Sequence, residues 1–389
     1  MTVKVCNVTP GRYLLASPDT HNCVTPYFVT VEDRKYTAIV NGIIAPCLVS
    51  VTAVVNTLVC IVLLKRHMVN PTNTILVAIS VADVLTGLCP TPCYFYFYTL
   101  SRYNAYMPYA WCRVYFWLTD YLPSLFHMAS VWLTVALAGH RYLCICRSMT
   151  NRFNVRRIVK VIVVIYLAAL ASQTVRFFEY QVTPVLFPDS NFVGCSVEYA
   201  SVLTLYCDIY LSMYFWFRAI FVHFLPCFML CFFSTMLALA VQGSRVRRER
   251  MAAQNRHREL FVMDQVSATT TMLIIVVGVF LLVELPVGIF IVTTTFENNI
   301  GVEIVRAETR RLQELTSNFV ILLSYPINFF IYCAMSQLFR QTFCGLFVRA
   351  ASTVSRMSLI QTRNVDEDVA QSKVPEVLLM KERTAQAAL

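Results

Sequence analysis

The stretch from Cys112 to Arg157 decides the fold of this chain. It opens Cys-Arg-Val-Tyr-Phe-Trp at 112–117, runs through an apolar segment at 118–138, and closes Gly-His-Arg-Tyr at 139–142 before a basic segment. Cys112 and Arg141 lie 29 positions apart, which corresponds to about 43 Å of α-helix. A bilayer with its interfaces is roughly 40–45 Å deep. The stretch therefore predicts a membrane helix with a cysteine at its outer end and an arginine at its inner end.

The composition agrees with a membrane protein. The chain has 389 residues, of which 57% are hydrophobic and only 14% are charged, whereas soluble domains carry about 25% charge. The formal net charge is +10, but the basic residues lie in short links between apolar runs, a pattern that orients membrane proteins. We therefore expect the lipid bilayer, and no nucleic acid, as a partner.

Seven apolar runs are long enough to span a membrane, which predicts an all-α, seven-transmembrane helix bundle. Basic residues gather in the links after the first, third and fifth runs, whereas the opposite links carry more acidic or balanced charge. Because cytoplasmic loops hold the excess of Lys and Arg, we expect the N-terminus outside the plasma membrane and the C-terminus in the cytoplasm. The runs cover residues 39–64, 72–98, 113–140, 156–178, 213–241, 267–295 and 315–335.

These runs divide the chain into four expected regions. They are an extracellular N-terminus at 1–38, a seven-transmembrane domain at 39–335, an amphipathic eighth helix at 336–349 and a disordered cytoplasmic tail at 350–389. Asn7 begins an Asn-Val-Thr glycosylation acceptor on the expected outer side. Cys344, in the amphipathic segment, is either a palmitoylation site or an unmodified thiol.

A set of landmark residues in a fixed order carries a family resemblance. Across about residues 36–349 the chain resembles the rhodopsin-like G-protein-coupled receptors. The matching landmarks are Asn56, Asp83, Cys112, Arg141, Tyr142, Pro226, Phe280, Pro286, Asn328 and Tyr332. Three departures narrow the match: His140 replaces the usual acid before the arginine, Glu284 replaces a usual Trp, and the seventh-span proline is shifted to Pro326. With these departures the chain is similar to the invertebrate neuropeptide receptors of the sex peptide/myoinhibitory peptide, myosuppressin and FMRFamide-like group.

The resemblance implies a disulfide and a set of switch residues. Cys112 would pair with Cys195 and pin the second outer loop over the cavity. For Cys6 and Cys23 the sequence leaves two alternatives, a second disulfide or two free thiols. Arg141 would face a helix of the G protein, and with His140 beside it we expect basal signalling. The implied activation switch comprises Arg141, Tyr142, Phe280, Glu284, Pro286, Asn328 and Tyr332.

A buried acid marks a second site. Asp83 lies inside an apolar span, where a charge is costly and usually functional. In the resembled family this position helps to hold a sodium ion; here the implied ligands are Asp83, Ser130, Ser324 and Asn328, all of which supply oxygen. We hypothesise that Asp83 and Glu284 share a sodium ion or a proton. The alternative is that Glu284 only hydrogen-bonds a neighbouring helix.

The ligand cavity should be lined by aromatic residues with a few charges, a composition that suits the end of a peptide. Asp120 or Glu284 would take a basic group of that peptide, unless Asp120 is simply solvated and the aromatic residues only pack. The expected ligand contacts are Tyr94, Tyr98, Asp120, Tyr121, His127, Tyr214, Arg218 and Glu284.

Other classes of protein fit less well. No phosphate loop, metal-ligand spacing or Ser-His-Asp order predicts an enzyme, and no inverted repeat predicts a transporter. No lysine falls in the seventh run, which excludes a retinal Schiff base. Pro123 stands where receptors for amines keep an aspartate, which argues against an amine-like ligand. We therefore expect a neuropeptide receptor that couples to heterotrimeric G proteins of the inhibitory type, with arrestin and receptor kinases as further partners and no cofactor beyond the sodium ion.

Overall fold

The structure is a computed structural model of the chain. It describes residues 3–4, 27–28, 35–100, 107–146, 154–174, 176–187, 192–200, 207–253, 257–300, 305–335 and 338–346. The chain divides into a unit at 1–335 and a unit at 336–389. Cys6, Cys23, Asn7 and the tail beyond 350 lie outside the described residues, so the predictions on them stay predictions. In the second unit, residues 338–346 are helical.

Among the described residues, seven helical spans are long and apolar enough to cross a membrane, which confirms the predicted all-α bundle. Most of them begin or end a few residues away from the predicted apolar runs, and the third, at 38 residues, is the longest. The spans are Tyr36–Leu63, Pro71–Thr99, Tyr109–Cys146, Val155–Phe178, Ile209–Gly243, Thr270–Glu297 and Leu312–Ile331.

Most spans consist of two or three consecutive helical segments, and the sixth lies within a single long helix. The first comprises Lys35–Ile39, Val40–Ile44 and Ala45–Leu63, the second Pro71–Leu88, Thr91–Tyr94 and Phe95–Thr99. The third comprises Tyr109–Phe116, Trp117–Tyr121 and Leu122–Cys146, and the fourth Val155–Gln173 and Arg176–Phe178. The fifth comprises Cys207–Arg218, Ala219–Phe224 and Leu225–Ala253. The sixth is His257–Ile300, and the seventh Ala307–Ser324 and Ile327–Met335.

Local sequence explains where several of these helices begin and end. Asn70 and Asn154 start the second and fourth spans as N-caps, because each side-chain oxygen accepts a hydrogen bond from the backbone N–H three residues later, at 2.9 Å. Proline follows the first of these caps directly, at Pro71, where its missing N–H costs nothing. In the seventh span the helix breaks before Pro326, which lacks the N–H for an intrahelical hydrogen bond and crowds the preceding turn.

Within the described residues, four segments are wound as π-helix, and they interrupt the first, second, third and fifth spans. Their bounds are Val40–Ile44, Phe95–Thr99, Trp117–Tyr121 and Ala219–Phe224. Such segments frequently occur at functional sites.

The second outer loop forms a β-hairpin that sequence analysis did not predict. Strands β3 (Tyr180–Phe187) and β4 (Phe192–Tyr199) pair antiparallel, with Pro184 opposite Cys195. Two short N-terminal strands, β1 (Val3–Lys4) and β2 (Tyr27–Phe28), extend this sheet in the order β1-β3-β4-β2. A disulfide joins Cys112 to Cys195, so the outer end of the third span is tied to the middle of β4.

Candidate functional site

An arginine that sequence analysis missed organises the outer part of the bundle. Arg176, at the end of the fourth span, is only 7% exposed, and a buried guanidinium must be paired. Its Nη1 donates to Asp120 Oδ1 at 3.1 Å, its Nη2 donates to Asp120 Oδ2, and its Nε donates to Glu179 Oε2 at 3.2 Å. The result is a charged junction between the third and fourth spans and the start of the hairpin.

Two aromatic rings complete this junction. The Arg176 guanidinium carbon lies 5.0 Å from the ring centre of Tyr121 and 4.8 Å from that of Tyr214, within cation–π range. Three predicted ligand residues, Asp120, Tyr121 and Tyr214, are thereby brought together. Burial raises the pKa of the Glu179 carboxyl, and the Arg176 charge offsets part of that rise.

Two other predicted ligand residues lie in a packed aromatic cluster instead. Tyr94 and Tyr98 meet edge to face with ring centres 6.2 Å apart, and Tyr98 is 8% exposed. Tyr98 belongs to a core that also contains the Cys112–Cys195 disulfide, and Tyr94 packs against that core. The cluster also packs against Tyr180 and Val182 of the hairpin, and ligand contact by Tyr94 and Tyr98 stays a prediction.

The predicted residues Glu284 and His127 meet deeper in the bundle, together with a histidine from the fifth span. Glu284 Oε2 lies 2.9 Å from His223 Nδ1, and Glu284 Oε1 lies 3.4 Å from His127 Nε2. His127 Nδ1 is in turn 3.1 Å from the Tyr325 hydroxyl. Glu284 and His223 are each 2% exposed. One carboxylate therefore links the third, fifth and sixth spans, and Tyr325 extends the network to the seventh.

Close backbone packing holds His223 in place. A Cβ added at Gly288 would come within 2.9 Å of His223 Cβ, a distance that no unstrained contact allows. On the other side, Trp132 Nε1 donates to the carbonyl oxygen of Phe221 at 3.2 Å. Both contacts fall on the π-helical segment of the fifth span, whose local winding turns His223 toward Glu284.

Below this network lies the site predicted for sodium. Ser130 Oγ donates to Asp83 Oδ1 at 2.6 Å, and Asp83 is 1% exposed. The four predicted oxygen ligands line one cavity. The volume that the centre of a water molecule can occupy in it is about 50 Å³. One water needs about 10–15 Å³ by that measure, so the cavity has room for an ion with some of its hydration. Its lining includes Asp83, His127, Ser130, Phe280, Glu284, Ser324, Tyr325 and Asn328.

The inner end of the third span carries the predicted contact with the G protein. Arg141 and Tyr142 lie in helix Leu122–Cys146, and the Tyr142 ring centre is 5.7 Å from that of Phe233 on the fifth span. His140 is 8% exposed, and its Nε2 lies 3.6 Å from the sulfur of Cys144, one turn later.

The remaining predicted residues all lie in helices. Pro286 lies inside the long helix of the sixth span, and Tyr332 lies in helix Ile327–Met335. Arg218 is the last residue of helix Cys207–Arg218, just before the π-helical segment. Cys344 is exposed in the helix at 338–346 of the second unit.

Some of the missed residues had a signal in the sequence. Arg176 stands inside the fourth apolar run, so the rule that flagged Asp83 applies to it equally. His223 likewise lies within the fifth run, but a lone histidine does not reveal its partner. Glu179 falls at the edge of a run and gave no signal.

Comparison with known proteins identifies the family of the chain. A family model described as serpentine type 7TM GPCR chemoreceptor Srw matches residues 43–350. The sex peptide receptor of Drosophila melanogaster is 33% identical over 321 residues, which cover 81% of this chain and 74% of that receptor. Sex peptide receptor-related protein 2 of Caenorhabditis elegans is 31% identical over 329 residues, covering 81% and 72%. The short-wave-sensitive opsin 1 of Rattus norvegicus is 26% identical over 311 residues, covering 78% and 80%.

The similarity to an opsin extends to the fold but not to the binding of retinal. A retinal Schiff base needs a lysine, and the seventh span of this chain has none in its sequence. The family match at 43–350 covers most of the chain. The chain belongs to the serpentine G-protein-coupled chemoreceptors of the Srw family and is a rhodopsin-like receptor, not an enzyme.

Proposed function

We propose that this receptor lies in the plasma membrane with its N-terminus outside and responds to an extracellular, amidated neuropeptide. The observation that carries the proposal is the outer end of the bundle, where the disulfide-tied hairpin adjoins the Asp120–Arg176 junction and its aromatic rings. Aromatic groups with a few charges suit a peptide end. The relative that is 33% identical is named a sex peptide receptor.

The signal would pass through a two-state helical bundle. A peptide that binds one arrangement of the outer ends better than the other shifts the population toward it. Glu284 holds the third, fifth and sixth spans together through two histidines, so rearrangement of this network would release the sixth span. That movement opens an inner cleft beside Arg141 for a helix of a heterotrimeric G protein of the inhibitory type. Arrestin and receptor kinases would act on the same cytoplasmic side.

The test is a signalling screen in cells that express the chain. Amidated invertebrate neuropeptides and the Drosophila sex peptide are applied, and cyclic-nucleotide and calcium responses are recorded. Arg141→Ala serves as the control, because it should abolish the response at equal surface expression. A response to biogenic amines alone would contradict the peptide proposal, and substrate uptake without any second-messenger response would indicate a transporter.

We also propose that sodium stabilises the resting receptor at Asp83. The oxygen donors of Asp83, Ser130, Ser324 and Asn328 around one cavity fit a hard cation. When bound, the ion would supply positive charge beside the buried carboxylate. Because both Glu284 oxygens face histidines, we assign the ion to Asp83 rather than to a shared site.

Asp83→Asn tests this assignment. It should abolish the effect of sodium on agonist potency, whereas Glu284→Gln should leave that effect in place. Equal sodium dependence in the parent and in Asp83→Asn would rule the site out.

A further inference from the structure

The junction around Arg176 leaves one carboxylate within reach of a ligand. The Asp120 side chain is 37% exposed, whereas those of Arg176 and Glu179 are 8% and 4% exposed. Three of the five N–H donors of the guanidinium are used on Asp120 and Glu179, and the rings of Tyr121 and Tyr214 lie within cation–π range. Arg176 is thus engaged within the junction, and Asp120 is the most exposed of its three charged members.

The Asp120 carboxylate has acceptor capacity beyond its contact with Arg176. An ionised carboxylate accepts at about four lone-pair positions, and the Arg176 fork occupies two of those on Asp120. The two remaining positions suit a positively charged donor, because hydrogen bonds between charged partners are the strong ones.

We propose that Asp120 binds a positively charged group of the ligand and that Arg176 is the positioning residue that fixes the Asp120 carboxylate. The inference rests on the proposed peptide-receptor function and specifies the ligand chemistry. The group is an ammonium or a guanidinium, supplied either by the peptide N-terminus or by a lysine or arginine side chain.

The experiment compares matched peptides on matched receptor variants. The most potent peptide from the signalling screen is used in three forms: unmodified, acetylated at its N-terminus, and with each lysine or arginine replaced by glutamine or citrulline. Potency is measured on the parent receptor, on Asp120→Asn and on Glu179→Gln. The last is the control, because it removes the same charge from the same junction at its buried side.

We expect only Asp120→Asn to lose the ability to discriminate between the charged and the neutralised peptide. On the parent receptor, one of the two neutralised peptides should be about 10- to 100-fold weaker, as removal of a charge-assisted hydrogen bond predicts, and its identity tells the N-terminus from the side chain. On Asp120→Asn that difference should shrink to less than about threefold, whereas Glu179→Gln should keep it. Arg176→Lys, which retains the charge but loses the two-pronged contact, should reduce it partly.

Two outcomes would overturn the inference. If Asp120→Asn weakened charged and neutral peptides equally, Asp120 would be a structural residue of the junction. If neither neutralised peptide lost potency on the parent receptor, the ligand would present no cation there, although the peptide-receptor function would stand. Silence of the parent receptor toward every peptide, at verified surface expression, would instead refute the function together with the inference.

Discussion

Removing the Glu284 carboxylate should cost the receptor several kcal/mol of stability. In Glu284→Leu the His223 Nδ1 would lose its acceptor at 2.9 Å, and the His127 Nε2 would lose the charge at 3.4 Å. His223 Nε2 already has no hydrogen-bond partner in the part of the bundle that the structure describes. The substitution therefore leaves a buried imidazole with neither nitrogen satisfied.

The size of the effect follows from these contacts. A hydrogen bond to a charged group contributes about 1.5–3 kcal/mol, and only the contact with His223 is short enough for a full bond. Removing one partner of a buried charged pair costs about 3–5 kcal/mol, and the added leucine burial offsets part of it. We expect a loss of about 3 kcal/mol. Glu284→Gln should lose about 1 kcal/mol, because its amide oxygen still accepts from His223 and its amide nitrogen faces His127.

Thermal unfolding of the purified receptor can resolve this difference. Cys93 and Cys227 are buried, at 0% and 3% exposure, so a thiol-reactive fluorophore reports the opening of the bundle. At about 2–4 °C per kcal/mol, Glu284→Leu should unfold about 6–12 °C below the parent and Glu284→Gln only a few degrees below it. The leucine variant should also raise basal signalling, because the sixth span loses its link to its neighbours. Equal unfolding temperatures for all three proteins would refute the reasoning.

Three further predictions follow from single contacts. Gly288→Ala places a methyl group 2.9 Å from His223, so it should destabilise the receptor by about 1–3 kcal/mol and raise basal signalling; unchanged unfolding and baseline would contradict this. Cys195→Ser opens a disulfide of sequence separation 83 and should cost about 4.5 kcal/mol in the chain-entropy model, whereas Cys47→Ser, at an exposed free thiol, should unfold like the parent. His140→Asp should lower ligand-free signalling, measured at matched surface expression, because an acid restores the restraint on the neighbouring arginine; equal baselines would count against it.

The broad plan of this receptor could be predicted because it depends on local sequence. Apolar runs of sufficient length and basic links between them each act within a short stretch of chain. The landmark order then identified the family, and with it the pairing of Cys112 and Cys195. None of these predictions depends on which side of a helix faces its neighbour.

Side-chain partners across the bundle could not be predicted, since they depend on helix rotation. In an α-helix one inserted residue rotates every later side chain by about 100°, and π-helical segments interrupt the third and fifth spans. Asp120 lies within the first of these segments and His223 within the second. Apolar periodicity does not show such a segment, so the pairs Asp120–Arg176 and His223–Glu284 became visible only in three dimensions.

The two networks are connected by the third span itself. Asp120 lies in the π-helical segment of the third span, and His127 lies seven residues later in the α-helix that follows. Ser130, three residues beyond His127, reaches Asp83. A ligand that shifts Asp120 against Arg176 therefore acts on a span whose further polar contacts are the Glu284 network and the Asp83 cavity. Because His127 stands between Glu284 and Tyr325, a rotation of the third span must alter its contacts with the sixth and seventh spans together. We therefore expect the Arg176 junction and the Asp83 cavity to bias the same movement of the third span.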